Sequence, residues 1–156
     1  MTSDAQAGPR AGVPPYVVMD TQDPYKIAPF WCALLGVEVS SDRDAGHVVS
    51  LEPSPALGGM VLALQRVPET KVGKNRMHFD VYVDDLESAT ARVVELGGPR
   101  WAEHSSATVN DGGLISRIMA DPEGNEFCLV LTFSKKWHPE PGEAVIRMEG
   151  RIAGAD

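Results

Sequence analysis

The 156-residue chain has little of what usually announces a partner or a compartment. It has two cysteines, Cys32 and Cys128, far apart in the sequence. They form neither a disulfide framework nor a zinc-finger spacing, and they suit free thiols in a reducing cytoplasm, the expected location. Basic charge is scarce: 14 Lys and Arg stand against 22 Asp and Glu, a net charge of −8. A phosphate-binding protein normally carries a basic face, so nucleic acid is not an expected partner. The same balance steers weakly towards a cationic small molecule. No apolar run nears the roughly 20 residues of a membrane helix, so no membrane partner is expected. The longest run, Ala28 to Val37, is broken by Pro29 and Gly36. Met1 to Val13 carries Asp4 and Arg10 without an apolar run and does not read as a signal peptide. What is present is ordinary globular material, 43% hydrophobic and 23% charged, which argues against wholesale disorder and fits one domain.

Between a small-residue leader (1–13, expected disordered) and a weakly patterned tail (134–156), the chain repeats itself. Module one, 14–65, begins with a β-prone run at Tyr16–Met19. Asp23-Pro24 then caps a helix whose face is Ile27, Phe30, Trp31 and Leu34, and Gly36 stops it. Three strands are expected at Val37–Ser40, His47–Leu51 and Met60–Gln65. Module two, 75–133, begins with an alternating strand at Met77–Val83. Asp84 and Glu87 are spaced as a capping box, Leu86, Ala89, Val93 and Leu96 form the helical face, and Gly97-Gly98 ends it. Strands are expected at Arg100–Glu103, Leu114–Ala120 and Glu126–Thr132, the last two joined by the turn Asp121-Pro122-Glu123-Gly124. The polar segment 66–74 links the modules. The fold class is therefore α+β, two tandem βαβββ modules forming a cupped mixed sheet with helices outside. Neither half alone buries both faces of a sheet, so the two pair into one domain. A single α+β sandwich without internal symmetry is the alternative.

Three segments carry a family likeness. They are Lys74-Asn75-Arg76-Met77-His78-Phe79-Asp80-Val81 with Val83-Asp84-Asp85-Leu86, Asp121-Pro122-Glu123-Gly124-Asn125-Glu126-Phe127-Cys128-Leu129, and Asp23-Pro24 with Ile27-Ala28, Phe30-Trp31 and Leu34-Leu35-Gly36. Together they resemble the vicinal oxygen chelate superfamily of glyoxalases, bleomycin-resistance proteins and extradiol dioxygenases, in its glyoxalase-like subgroup, over about residues 15–132. The resemblance implies a divalent metal (Zn, Ni, Mn or Fe) held by residues on the first and last strands of each module. Carried over, His78 and Glu126 stand at the two ligand positions of module two. In module one Tyr16, or Val17 after a one-residue slip, stands opposite His78, and Met60 or Val61 stands where a carboxylate, His or Gln belongs. Two ligands of four remain, which leaves the cofactor unassigned and a full metal site unexpected. The likeness also implies a homodimer.

Strand alternation sorts the remaining side chains. Met77, Phe79, Val81 and Val83 belong under the helices, so His78, Asp80 and Tyr82 face the cup. Phe127, Leu129 and Leu131 take the helix side of the last strand, leaving Glu126, Cys128 and Val130 to the cup. The Tyr16 register adds Tyr16, Val18 and Asp20, and keeps Asp20 out of the core. His78, Asp20 and Asp80 are thus the candidate acid–base residues. Tyr16, Tyr82, Glu126, Cys128 and the rim residue Trp101 are candidate ligand contacts, and His78 with Glu126 is the candidate metal pair. Each has a blander reading: His78 bonded to Glu126, Asp80 paired with Arg76 or Arg117, Cys128 as packing. The loop from His104 to Gly113 reads either as a flap over the cup or as a plain connection. The residues support a small-molecule binder of the bleomycin-resistance type. A metal-dependent glyoxalase-type lyase or isomerase, and a metal-independent acid–base enzyme, remain open, so whether the protein is an enzyme is undecided.

Overall fold

The computed structural model describes residues 12–100, 108–109 and 114–132. The chain runs β1 (Tyr16–Thr21), α1 (Pro24–Leu35), β2 (Val39–Arg43), β3 (Val48–Leu51), a 3-10 turn (Pro55–Leu57) and β4 (Val61–Arg66). It repeats as β5 (Asp80–Tyr82), α2 (Leu86–Glu95), β6 (Thr108–Val109), β7 (Leu114–Ala120) and β8 (Glu126–Thr132). The eight strands form two four-stranded sheets of identical topology, β1-β4-β3-β2 and β5-β8-β7-β6. In each, the first strand runs parallel to the last and the other pairs are antiparallel. The helix between the first two strands of each unit supplies the crossover that a parallel pair requires. The duplicated α+β architecture read from the sequence is therefore the architecture of the protein.

Local chemistry explains the element ends. Asp23 accepts a hydrogen bond from Tyr25 N at 3.1 Å with Pro24 in the first turn, and Gly36 closes α1 in the left-handed region at φ 67°. The cap of α2 is Asp85, one residue later than the expected Asp84, and it accepts from Ser88 N at 2.6 Å. Glu87 is consequently not a capping-box partner. Its carboxylate instead takes two hydrogen bonds from Arg117, at 2.7 and 3.1 Å.

One apolar core spans both units. Ile27, Phe30, Trp31 and Leu35 of α1, Leu62 and Leu64 of β4, Val81 of β5, Val93 of α2, Met119 of β7, and Phe127 and Leu129 of β8 belong to it. Trp31 lies edge-on to Phe79 (5.9 Å between centroids) and tilted against Phe127 (5.3 Å), so the first helix packs on strands of the second unit. The apolar core is thus shared between the two units.

Three expectations need correction. β5 is shorter than Met77–Val83, and Met77 is 65% exposed rather than under the helices. The ladder to β8 begins only at Phe79 O, which accepts from Cys128 N at 2.8 Å, so residues before it are free of sheet alternation. β2 lies at Val39–Arg43 rather than Val37–Ser40, as an exposed edge strand. The strand that pairs with β7 is Thr108–Val109, inside the segment read as a loop. The leader through residue 11, Trp101 and most of its neighbouring loop, and the tail lie outside the described residues.

Candidate functional site

β1 pairs with β4 on one side only, and β5 with β8 on one side only. Among the described residues, each therefore ends its sheet with an unpaired edge. A hollow of about 420 Å3 opens here. Val17, Val18, Met19 and Asp20 line it from β1, Asn75 to Phe79 from the approach to β5, and Asn125 and Glu126 from the start of β8. Four consecutive residues of β1 take part, which a sheet face would not allow and a sheet edge does. The hollow thus runs beside β1. Asp20, His78 and Glu126, all singled out from the sequence, meet in it.

The sheet does sort its side chains as alternation requires. Tyr16 (53%) and Val18 (54%) are exposed, whereas Thr21, Val81, Phe127 and Leu129 are buried. Asp80 sits directly opposite Cys128 in the parallel ladder, and Tyr82 opposite Val130. His78, two residues before Asp80, sends Nε2 to within 3.4 Å of Asp80 Oδ1, with both side chains about half exposed (50% and 51%). His78, Glu126 and Cys128 also line a small adjoining cleft together with Lys74 and Ile118. Tyr16, Asp80, Tyr82 and Cys128 stand outside the main hollow, on the open sheet surface next to it.

Electrostatics separate the two carboxylates of the hollow. Burial pushes the Glu126 carboxyl up, but the Asn75 backbone amide and the Lys71 ammonium outweigh it and hold the group below the usual Glu range. Lys71 Nζ lies 3.0 Å from Glu126 Oε2, and Asn75 N donates to the same oxygen at 3.1 Å. With its amide turned so that donors face acceptors, the Asn75 side chain also donates to Oε2 (3.0 Å) and accepts from Glu126 N (3.2 Å). Asp20 has no ion-pair partner among the described residues. The Cys128 thiol is pushed up by burial and then by the neighbouring Asp80 carboxylate, against a smaller opposing pull from Lys74. A thiol raised in this way is a poor nucleophile at neutral pH.

These donors do not suit the divalent metal that the family likeness implies. At the family's ligand positions in the first unit, Tyr16 stands beside Val61 in the ladder and Val61 is buried and aliphatic, while Glu126 in the second unit is already neutralised by Lys71. A site spanning both units in the family manner does not fit this chain. The blander readings of two residues change as well. His78 faces Asp80 rather than Glu126, and Arg117 lies under α2, where it bonds Glu87 and Thr90 and stays away from Asp80.

Sequence reasoning passed over several residues here. Asn75, Arg76 and Met77 line the hollow because they precede the ladder. Lys71, read as part of a solvated connector, clamps Glu126. Glu123, read as a turn residue, accepts from Thr21 Oγ1 at 2.8 Å and Gln22 N at 3.1 Å, tying the end of β1 to the second unit. The Asp121 turn gave a local signal for its own geometry. The partners a hundred residues away gave none.

Comparison with known proteins agrees with this architecture. A glyoxalase/bleomycin resistance protein/dioxygenase from Alicyclobacillus acidocaldarius superposes with a TM-score of 0.57 at 14% identity, covering 80% of this chain and 95% of that one. A glyoxalase-related enzyme from Fulvimarina pelagi gives 0.58 at 16%, covering 78% and 88%. A possible glyoxalase from Bacillus cereus gives 0.55 at 14%, covering 76% and 98%. At these identities the likeness establishes the fold alone. No curated protein matches the sequence. The family model of the glyoxalase-like domain, however, matches residues 16–130, the span of both βαβββ units, and the chain belongs to that family within the vicinal oxygen chelate superfamily.

Proposed function

We propose that this glyoxalase-like protein binds a small organic molecule in the hollow beside β1, with Asp20 and His78 as its polar contacts and without a metal site shared between the two units. The observation that carries this reading is the convergence of Asp20, His78 and Glu126 on one hollow of about 420 Å3. That size falls in the range of small-ligand pockets, roughly 300–1,000 Å3. Glu126 is neutralised by Lys71, so Asp20 is the acid left to meet a ligand. Asp20 and the net charge of −8 favour a ligand with a cationic or hydroxyl-bearing end. The unpaired edge of β1 adds backbone donors and acceptors, and Val17, Val18, Met19 and Phe79 supply apolar wall.

The test is a thermal-shift screen of cationic aromatic compounds, antibiotics, and hydroxy- and keto-acids. Binding to the native state raises the melting temperature by mass action. The best ligand should lose most of its shift with Asp20→Asn and with His78→Ala. A hit that ignores both substitutions removes the proposed pocket.

A second reading, metal-independent acid–base catalysis, is favoured by one observation. His78 lies 3.4 Å from Asp80, a carboxylate that would orient the imidazole. The names of the fold neighbours include glyoxalase, bleomycin resistance protein and dioxygenase, so the fold does not choose between binding and catalysis. Turnover of the screened ligand by the native protein, lost in Asp80→Asn while binding persists, would select the enzyme.

A further inference from the structure

We propose that His78, Asp80 and Cys128 form a zinc site confined to the second unit, separate from the strand-end pair of the family pattern. This goes beyond the ligand-binding reading and stands without it. One ligating atom from each residue, the imidazole nitrogen, a carboxylate oxygen and the thiol sulfur, lies within 4.8 Å of the others. Their placement is dictated by the backbone. Asp80 and Cys128 are register partners in the β5–β8 ladder, fixed by the Cys128 N to Phe79 O hydrogen bond of 2.8 Å. His78 comes from the same chain segment two residues earlier and already meets Asp80 at 3.4 Å.

Tetrahedral zinc has bonds of about 2.0–2.3 Å to nitrogen, oxygen and sulfur, so its ligand atoms sit roughly 3.3–3.7 Å apart. Closing from 4.8 Å to that spacing needs only rotamer adjustment of His78 and Asp80, both half exposed. Glu126, the family-pattern partner of His78, is withheld by Lys71 and Asn75. Cys128 brings a thiolate instead, which shifts selectivity from hard Mg2+ or Ca2+ to borderline Zn2+. Binding releases the thiol proton to solvent as the zinc–sulfur bond forms. Three protein ligands would leave the fourth position of a tetrahedral zinc open.

The experiment titrates the metal-free full chain with Zn2+ alone, by competition with a chromophoric chelator, and with Co2+ as a spectroscopic substitute. The expected result is one equivalent of Zn2+, one proton released, and a thiolate-to-Co2+ charge-transfer band in the near ultraviolet. Loss of an outer partner typically weakens a metal site about 10–100-fold, so removing a direct ligand should weaken it by at least about 100-fold. Cys128→Ser and Asp80→Asn should each show that loss, and Cys128→Ser should abolish the band. Glu126→Gln should bind within a few-fold of the native chain. Melting curves of the metal-free variants check that each is folded. No Zn2+ uptake by the native chain, equal uptake by Cys128→Ser, or equal dependence on Glu126 would overturn the assignment. A protein that takes no Zn2+ but still shifts with an organic ligand loses this site and keeps the pocket.

Discussion

The indole Nε1–H of Trp31 donates to Asp121 Oδ2 at 3.2 Å, joining the first helix to the β7–β8 turn of the other unit. Asp121 is fully buried, and its remaining acceptor positions are filled locally. Oδ1 takes Glu123 N and Asn125 N, each at 2.9 Å, and Oδ2 takes the Asn125 side-chain amide at 2.9 Å. The same carboxylate therefore shapes a turn and locks two modules together.

Trp31→Phe keeps most of the aromatic packing and removes that donor. One hydrogen bond to a buried charged acceptor contributes roughly 1.5–3 kcal/mol, so urea unfolding should show a loss of that order in addition to a packing term. A loss under about 0.5 kcal/mol would mean that the contact does not hold the modules together.

Buried Asp121 and half-buried Glu126 set opposite pH dependences. Asp121 is pushed up, chiefly by burial, despite four hydrogen bonds that pull it down. A folded pKa above the unfolded value gives stability that is full below the unfolded pKa and is lost as pH rises through the folded one. Glu126 is held low, so its contribution is present above the ordinary Glu range and is lost as pH falls through the lowered folded pKa. Urea unfolding between pH 3 and 7, at steps of about one unit, should therefore give a flatter acid limb for Glu126→Gln. For Asp121→Asn the stability lost between the unfolded and raised pKa as pH increases should disappear. Matching pH slopes for both variants and the native protein would contradict the assignment.

Both thiols should react slowly. Burial raises Cys32, with Glu38 and Glu52 adding to it, and burial followed by Asp80 raises Cys128. In a Cys32→Ser background, iodoacetamide should alkylate Cys128 slowly at pH 7, and Asp80→Asn should speed it by removing the carboxylate. Mass spectrometry against time reads both rates. An unchanged rate would place the cause elsewhere.

Two glycines should answer differently to alanine. A Cβ on Gly98 would lie 2.7 Å from Val93 Cγ1 and 2.8 Å from Ala120 O, where α2 meets β7. Overpacking against backbone costs typically about 1–3 kcal/mol. At Gly36 the added atom meets nothing within 4 Å, and only the left-handed φ of 67° resists it, at about 1–2 kcal/mol. Thermal unfolding should give a structural readjustment around α2 only for Gly98→Ala, visible as shifted Val93 methyl resonances.

Much of the fold was legible because its signals are local. Asp23-Pro24, Gly36 and the helical spacing of Ile27, Phe30 and Trp31 each act within a few residues. The alternation of buried Phe127 and Leu129 against half-buried Cys128 holds in β8, whereas Val130, expected on the open face, is buried as well. The reading failed where a nonlocal choice decides between local equals. Asp84 and Asp85 are both competent caps, and Arg117 recruits Glu87 away from the first. Met77 continues the alternation in sequence but precedes the first ladder bond, so nothing forces it inward. The candidate residues were picked out by chemistry and face. Their pairing, His78 with Asp80 and Glu126 with Lys71, depends on side-chain reach across strands and a connector, which periodicity does not encode.

The missing ladder between β1 and β5 has a mechanical consequence. The gap between the two sheets is governed by the aromatic stack of Trp31, Phe79 and Phe127 behind it and by the Glu123 strap at one end. The width of the crevice therefore rests on side-chain packing and side-chain hydrogen bonds between the units rather than on a main-chain ladder.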